Sequence, residues 1–206
     1  MRRDTWRLQA ESYPLHGEFQ PRYIDVDIWQ HLNNAALSSM HGEAVQQALR
    51  SVFGPDSWRT CQPARACAAL ATDFLAEGQY PAPLAWGARV MGWEPAGLRI
   101  ASALFQGGRC IGLHEATVCG WRDGDPVGLD AQASAALRAA GIPGAESALP
   151  DLPPSASAGI VAPLAAYPWR TTLAARFSDS DARRLASDKW LSRCAEQVRV
   201  EFLDQV

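Results

Sequence analysis

The sequence of 206 residues has almost no lysine: Lys189 is the only one among nineteen Lys and Arg residues, and the net charge is −3. No basic run occurs, so the chain lacks the positive field that nucleic-acid binding needs. Long apolar runs are also missing. The longest, residues 160–169, is about half of a membrane span and is broken by Pro163 and Pro168. The first residues lead into polar sequence without a secretion signal. We expect a cytoplasmic globular protein with no membrane span and no nucleic-acid partner.

Patterns typical of metal sites are absent as well. The five cysteines are odd in number and show no C-x-x-C spacing, and the four histidines are scattered along the chain. Four of the cysteines stand among apolar neighbours, where cysteine usually behaves as a small hydrophobe. We therefore expect free structural thiols and no metal.

Enough apolar sequence is present for a core, with 48% hydrophobic residues. The sequence predicts a strand at about 19–26 and then a helix over 34–50, in which apolar and small residues recur every three or four positions. Asn33 or Asn34 can cap the start of this helix. Its small residues predict a close approach to a sheet. Four strand-like runs follow, at about 64–75, 84–93, 98–106 and 109–121. This order predicts an α+β fold in which a curved antiparallel sheet buries one long helix.

An internal repeat links the two ends of the chain. Tyr13-Pro14 recurs as Tyr167-Pro168, and the run 22–27 recurs as 176–181, both at an offset of 154 residues with five of fifteen positions identical. A stretch rich in Pro, Ala and Ser lies between the copies. The sequence thus predicts a domain over 1–140, a linker over 141–166 and a partial second copy over 167–206. That copy would hold only the first strand and the helix. It must pack on the first domain, join a partner chain, or represent a truncated second domain.

The segment 22–34 carries the candidate chemistry. It reads R-Y-I-D-V-D-I-W-Q-H-L-N-N, with Asp25 and Asp27 at a predicted strand end and two asparagines at a helix start. A helix start presents unpaired amides and a positive dipole end, which stabilise negative charge on a carbonyl oxygen. A carboxylate beside it can act as general base or nucleophile on that carbonyl. The same pattern also serves as ordinary capping and turn structure, so the residues alone leave both interpretations open.

This string resembles the signature of the hotdog-fold thioesterases in the 4-hydroxybenzoyl-CoA and YbgC-like branch, which commonly reads R-Y-x-D-x-D-x-x-G-H-V-N-N before a central helix. The resemblance covers about residues 13–140 and implies a hotdog fold. It implies that Asp27 is the catalytic carboxylate and that the Asn34 amide donates to the thioester carbonyl. His31 and Asn33 would shape the loop.

Further roles follow from the same resemblance. Glu43 falls on an acidic position of the central helix that many members keep, and Asp25 is expected to support the loop, because two adjacent free carboxylates would raise one another's pKa. Separately from the motif, Arg89 and Arg99 lie on adjacent predicted strands and are candidate contacts for the phosphates of coenzyme A, since guanidinium binds phosphate bidentately.

The chain departs from the family pattern at several positions. Gln30 stands where most bacterial members have Gly, and the reading Gln-His-x-Asn-Asn is similar to that of the plant acyl-ACP thioesterases. Those enzymes carry Asn where this chain has Trp29, a residue that can line or narrow an acyl channel. The second copy keeps Asp179 and Asp181 but replaces the sequence 31–34 by Leu-Ala-Ser-Asp at 185–188. We expect that copy to be structural.

The resemblance implies an acyl-CoA thioesterase. Its substrate would be an acyl-CoA or acyl-carrier-protein thioester, and it would need no cofactor beyond the coenzyme A of the substrate. Hotdog sites usually form between two hotdog units, which implies a homodimer or a pseudo-dimer through the second copy. Two alternatives stay open. One is a non-catalytic hotdog that binds acyl chains or serves assembly, and the other is a hotdog hydratase or dehydratase, whose Asp and His stand at a different spacing.

Overall fold

The structure is a computed structural model that describes residues 4–60, 64–122, 125–144, 169–182 and 186–204. One antiparallel sheet of six strands packs on a long helix. The strands are β1 (Leu15–Phe19), β2 (Ala64–Phe74), β3 (Leu84–Glu94), β4 (Gly97–Gln106), β5 (Arg109–Arg122) and β6 (Asp125–Val127). The helices are α1 (Asn34–Phe53), α2 (Ser57–Thr60), α3 (Ala131–Ala139) and α4 (Asp188–Leu203). The strand order is β1-β3-β4-β5-β2, with β6 paired to β5. The predicted α+β class is confirmed.

Helix α1 fills the concave side of the sheet because its inner face is built of small and aliphatic residues. Leu37 packs in one apolar cluster with Leu84 and Leu104 of the sheet, and Ala44 and Ala48 pack in another with residues of β3, β4 and β5. The predicted cap is Asn33, whose Oδ1 accepts the Ala35 amide at 2.6 Å. The helix prediction is therefore confirmed, with three more residues at its end.

The four-strand meander is also confirmed, and two glycines form the turn between its last two strands. Gly107 and Gly108 join β4 to β5 with φ of +57° and +77°. These conformations are those of a two-residue hairpin, which asparagine and glycine adopt at low cost. The extensions β6 and α3 were not predicted, because neither has a run long enough to show a period.

The first predicted strand is misplaced. The strand β1 covers Leu15–Phe19, and residues Tyr23–Asp25 form a 3-10 turn instead. The aromatic and β-branched residues Tyr23 and Ile24 favour a strand, but both are exposed and neither faces the core. Local hydrogen bonding therefore decides this segment. The Asp25 amide donates to the Arg22 carbonyl at 2.9 Å, and the Asp25 side chain accepts the Arg22 amide.

The second copy repeats this local geometry at the offset of 154 residues. Phe177–Asp179 forms the same 3-10 turn, and the Asp179 Oδ2 accepts the Arg176 amide at 2.7 Å. The Ser187 amide donates to the Asp179 carbonyl at 2.9 Å, as the Asn33 amide donates to Asp25 at 2.8 Å. Helix α4 then begins, capped by Ser187. Residues 169–182 contain no strand, so the strand predicted for this copy is absent from the part that the structure describes.

Helix α4 packs along α1. The predicted linker falls mainly on residues 145–168, which lie outside the described residues, as does Tyr167-Pro168. None of the described helices is both long enough and apolar enough to cross a membrane.

Candidate functional site

The loop that precedes α1 holds Asp27 in a fixed place. The Asp27 amide donates to the His31 carbonyl, and the Gln30 amide donates to the Asp27 carbonyl, both at 3.0 Å. The two oxygens of the carboxylate have different surroundings. Oδ1 accepts the Trp29 amide at 2.9 Å, whereas Oδ2 lies 3.4 Å from His31 Nδ1. Oδ1 thus stabilises the turn, and Oδ2 lies beside the His31 imidazole. The side chain is 13% exposed.

Gln30 occupies a position that glycine would suit better. Its φ of +67° lies in the left-handed region, which costs a residue with a Cβ roughly 1–2 kcal/mol. The loop therefore needs this backbone conformation even though the chain departs here from the glycine of the family pattern. Trp29 is 64% exposed and stacks on the His31 ring with centroids 6.3 Å apart. It covers one face of the imidazole and does not reach the core.

Asp25 is committed to the loop itself. Its carboxylate is buried and accepts the Arg22 amide at 2.9 Å and Arg22 Nη2 at 2.7 Å. Burial would raise the pKa of the Asp25 carboxyl, but the hydrogen bonds from the Arg22 side chain and backbone outweigh it and leave the pKa below its ordinary value. The carboxylate is therefore charged and structural at neutral pH.

The start of α1 opens on a cavity of about 460 Å³. The Asn34 amide has no hydrogen-bond partner among the described residues, since Asn33 caps the next amide instead. The walls come from α1, the edge strand β2 and α4, and they are lined by Asn34, Ala35, Ser38, Leu70, Thr72, Phe74, Leu191, Ser192, Ala195, Glu196 and Arg199. An unpaired amide at the positive end of a helix that borders a cavity can stabilise a developing oxyanion.

The structure does not bring every predicted residue to this cavity. Asp27 and His31 line neither it nor the adjacent cleft of about 380 Å³. Glu43 lies nine residues beyond Asn34 on α1, roughly 13 Å further along the axis. It lines a different cavity of about 380 Å³ together with Asp181, and its Oε1 accepts Gln47 Nε2 at 2.7 Å.

Arg89 and Arg99 are also distant from the cavity at Asn34, because neither contributes to its walls. Arg99 is only 11% exposed and forms an ion pair with the buried Glu115, which Arg7 also contacts at 2.7 Å. A phosphate could reach Arg99 only by breaking that pair. Arg89 is exposed, and its guanidinium lies 5.2 Å from the centre of the Trp6 ring. Their placement on adjacent predicted strands, which suggested these two residues, does not reveal which of them is buried.

A buried polar network lies behind the Thr72 wall of the cavity. Thr72 Oγ1 lies 2.8 Å from His114 Nδ1, the His114 ring stacks on His41 at 5.1 Å, and His41 Nδ1 lies 2.9 Å from Ser102 Oγ. Burial lowers the pKa of His114 to about 4 and, with a smaller effect of His114, lowers that of His41 well below its ordinary value. Both rings are therefore neutral at neutral pH.

The largest contribution that sequence reasoning missed is the wall formed by α4. Glu196 Oε1 accepts Asn33 Nδ2 at 2.6 Å, so the second copy contacts the residue that caps α1. The signal in the sequence was the spacing of Leu191, Ser192, Ala195 and Arg199, which share one helix face.

Among the residues that the structure describes, no three His, Cys, Asp or Glu side chains are grouped to hold a metal.

No protein-family profile and no curated protein matches the chain. Solved structures do resemble it. A thioesterase from Thermus thermophilus, solved with coenzyme A and zinc, has a TM-score of 0.53 at 19% identity, over 62% of this chain and 94% of that one. A predicted thioesterase from Bacillus stearothermophilus has a TM-score of 0.52 at 16% identity, over 60% and 93%. The DHNA-CoA thioesterase from Staphylococcus aureus has 0.52 at 13%, over 61% and 91%. At these identities the likeness concerns the fold alone, and it confirms that this chain contains the predicted hotdog fold.

Proposed function

We propose that the protein hydrolyses an acyl thioester, carried by coenzyme A or by an acyl carrier protein. The observation that carries the proposal is the unpaired Asn34 amide, which opens a helix at the wall of an apolar cavity of about 460 Å³. The solved structures that resemble the fold include proteins named as thioesterases. The apolar walls suit an acyl chain, and the helix start suits a thioester carbonyl. No cofactor beyond the coenzyme A of the substrate enters the proposal.

In this reaction the Asn34 N–H donates to the carbonyl oxygen as it becomes an oxyanion. We assign the general base to Asp27 from the motif, although its side chain does not line this cavity: Oδ2 accepts a proton from water, and the water oxygen bonds to the carbonyl carbon. The tetrahedral intermediate then breaks its carbon–sulfur bond, and the thiolate takes up a proton. In a second route an Asp27 oxygen bonds to the carbonyl carbon, the carbon–sulfur bond breaks and the thiolate leaves and takes up a proton. Water then hydrolyses the anhydride to the free acid and the Asp27 carboxyl group. His31 orients the carboxylate, because its Nδ1 lies 3.4 Å from Oδ2.

We further propose that α4 replaces the second hotdog unit at this site. It supplies one wall of the cavity, and Glu196 binds the cap residue Asn33. Arg89, Arg99 and Glu43 are not assigned a role, because none of them lines the cavity at Asn34.

The proposal is tested by replacing Asn34 with proline. Asn34 is the first helical residue, where proline is well tolerated, and Asn33 has φ of −63° and ψ of 141°, which suits a residue before proline. Asn34→Pro therefore removes the N–H donor with little change to the helix. Thiol release from a panel of acyl-CoAs should fall by about 10²–10³. Asn34→Ala keeps the donor and should retain most of the activity. Equal rates for the two variants would contradict the oxyanion role.

A second candidate is a hotdog that binds acyl chains without hydrolysing them. It is favoured by one observation: Asp27 does not line the cavity that Asn34 opens. Binding of acyl-CoA measured by calorimetry, with no thiol release at any chain length, would support this alternative over the enzyme.

A further inference from the structure

Helix α4 exposes an apolar face. Five of its hydrophobic residues are between 37% and 60% exposed: Leu191, Val198, Phe202 and Leu203 on one side of the helix, and Val200 on the other. Phe202 meets the ring of Trp169 at 6.1 Å and is exposed nonetheless. Single exposed hydrophobic residues are common on proteins, but four on one side of a helix of sixteen residues form a patch.

The internal repeat identifies what covers the equivalent face of α1. Shifted by 154 residues, the four positions become Leu37, Ala44, Ala48 and Leu49, which are at most 4% exposed. They pack against residues of β3, β4 and β5. The register of this comparison is set independently, because the 3-10 turn, its Arg–Asp capping contacts and the start of the helix recur at the same offset. The exposed face of α4 is thus the face that a sheet covers in the first copy.

The edge strand β2 lies beside this face. Among the described residues, β2 pairs only with β5 and has its other edge unpaired. Its exposed residues Leu70 and Phe74 line the same cavity as Leu191. The apolar surface of α4 therefore continues onto β2, and a strand added to the β2 edge would begin a sheet that extends over α4.

We propose that the β2 edge and the exposed face of α4 bind an antiparallel β-sheet from outside residues 1–206, which covers α4 as β3–β5 cover α1. A second copy of this chain fits poorly, because its sheet already covers its own α1. The sheet that binds here is thus a strand meander with one apolar face that is not already packed on a helix of its own. The inference rests on the repeat, but it shares Leu70, Phe74 and Leu191 with the cavity proposed for the acyl chain. Its tests therefore measure stability, dye binding and hydrogen exchange and not thioester hydrolysis.

The first experiment asks whether the face is free in the chain itself. Val198→Lys/Leu203→Lys should leave the melting temperature within about 2 °C, because neither residue is buried, and should reduce binding of a hydrophobic dye. Gln197→Lys, on the polar side of α4, is the matched control and should change neither. A fall in melting temperature typical of a core substitution would overturn the proposal, because the chain would then cover the face itself. If the unsubstituted chain sediments as a dimer and Val198→Lys/Leu203→Lys sediments as a monomer, the face binds a second copy of this chain, and the proposal is overturned.

The second experiment supplies a sheet. At the offset of 154, Val206 corresponds to Val52, so a copy of residues 53–122 fused after Val206 continues the repeat in register. Hydrogen exchange of the α4 amides should slow by at least about tenfold in this fusion. This slowing of exchange should disappear when Val198→Lys/Leu203→Lys is introduced into the fusion and should persist with Gln197→Lys. Unchanged exchange in the fusion would overturn the proposal.

Discussion

The two carboxylate oxygens of Asp27 have different contacts. Oδ1 holds the Trp29 amide and so fixes the turn, while Oδ2 faces His31. An asparagine can keep the first contact through its amide oxygen, but it cannot accept a proton from water. The effect of that substitution on rate and on folding therefore separates the two roles of this residue.

We predict that Asp27→Asn lowers the rate of thioester hydrolysis by about 10²–10⁴ and leaves the melting temperature nearly unchanged. The rate is measured by thiol release and the stability by thermal unfolding. Asp25→Asn is the matched control, since Asp25 is buried against Arg22. It should lower the free energy of unfolding by about 1–3 kcal/mol, the cost of a weakened buried contact. A melting collapse in Asp27→Asn would mean that Asp27 is structural.

The buried carboxylate of Glu115 holds two arginines inside the sheet. Arg7 lies 2.7 Å away and Arg99 forms the second ion pair. Glu115→Ala would leave both guanidinium groups buried without their anion, which typically costs about 3–5 kcal/mol. Urea unfolding should show this loss, whereas Glu18→Ala, at an exposed position of β1, should stay within about 0.5 kcal/mol. Similar stability for the two variants would refute this account of the cluster.

At the residue scale, the sequence located the helix start better than the ion pairs. The cap and the start at Asn34 were predicted because one local hydrogen bond determines them, whereas Asp25, expected at a strand end, lies in a 3-10 turn. Arg99 could not be placed, since its burial depends on Glu115 and Arg7, which lie far from it along the chain. Contacts between residues that are distant in the sequence leave no periodic pattern in the residues around Arg99.

At the scale of elements, the two stacked histidines join α1 to the sheet. His41 of α1 lies against β5 at Gly112, where a Cβ would come within 2.9 Å of His41 Nε2. Ser102 and Thr72 bind the Nδ1 atoms, and the two Nε2 atoms have no partner among the described residues. The packing of helix on sheet therefore depends on both rings staying neutral.

We predict that this arrangement weakens in acid. The pKa of His114 is about 4 in the folded protein and about 6.5 when unfolded. The unfolded chain thus binds more protons between these values, and stability falls as the pH drops from about 6.5 to about 4. At about pH 5, His114 alone should cost about 2 kcal/mol relative to about pH 7.5. Urea unfolding at the two pH values measures this. His114→Gln should show a smaller difference, and an equal difference would contradict the assignment.

The elements with a clear period were the ones that the sequence located well. The strands β2 to β5 and the helix α1 each have ten or more residues, which is enough for periodic burial to appear. The first strand was placed too late, because Tyr23 and Ile24 have strand-like side chains in a segment governed by the Arg22–Asp25 contacts. Propensity was overridden there by local hydrogen bonds.

At the scale of the whole molecule, the tail helix α4 packs against α1. The start of α1 meets the middle of α4, where Asn33 donates to Glu196. The middle of α1 meets the segment just before α4, where Glu43 shares a cavity with Asp181. Two helices in such contacts run in opposite directions. This direction is the one expected if the tail takes the place of the central helix of a second hotdog unit, as proposed above.

This arrangement predicts the assembly of a shortened chain. A chain that ends after Gly144 loses α4 and exposes both the outer face of α1 and the β2 edge. A second copy can then supply its own α1 in place of α4, so we expect residues 1–144 to form a dimer in size-exclusion chromatography with light scattering. The full chain, in which α4 occupies that position, should not form this dimer. Glu196→Ala in the full chain removes only the bond to Asn33 and should behave like the full chain. A monomeric 1–144 fragment that is folded by circular dichroism would contradict the view that α4 replaces a partner's helix.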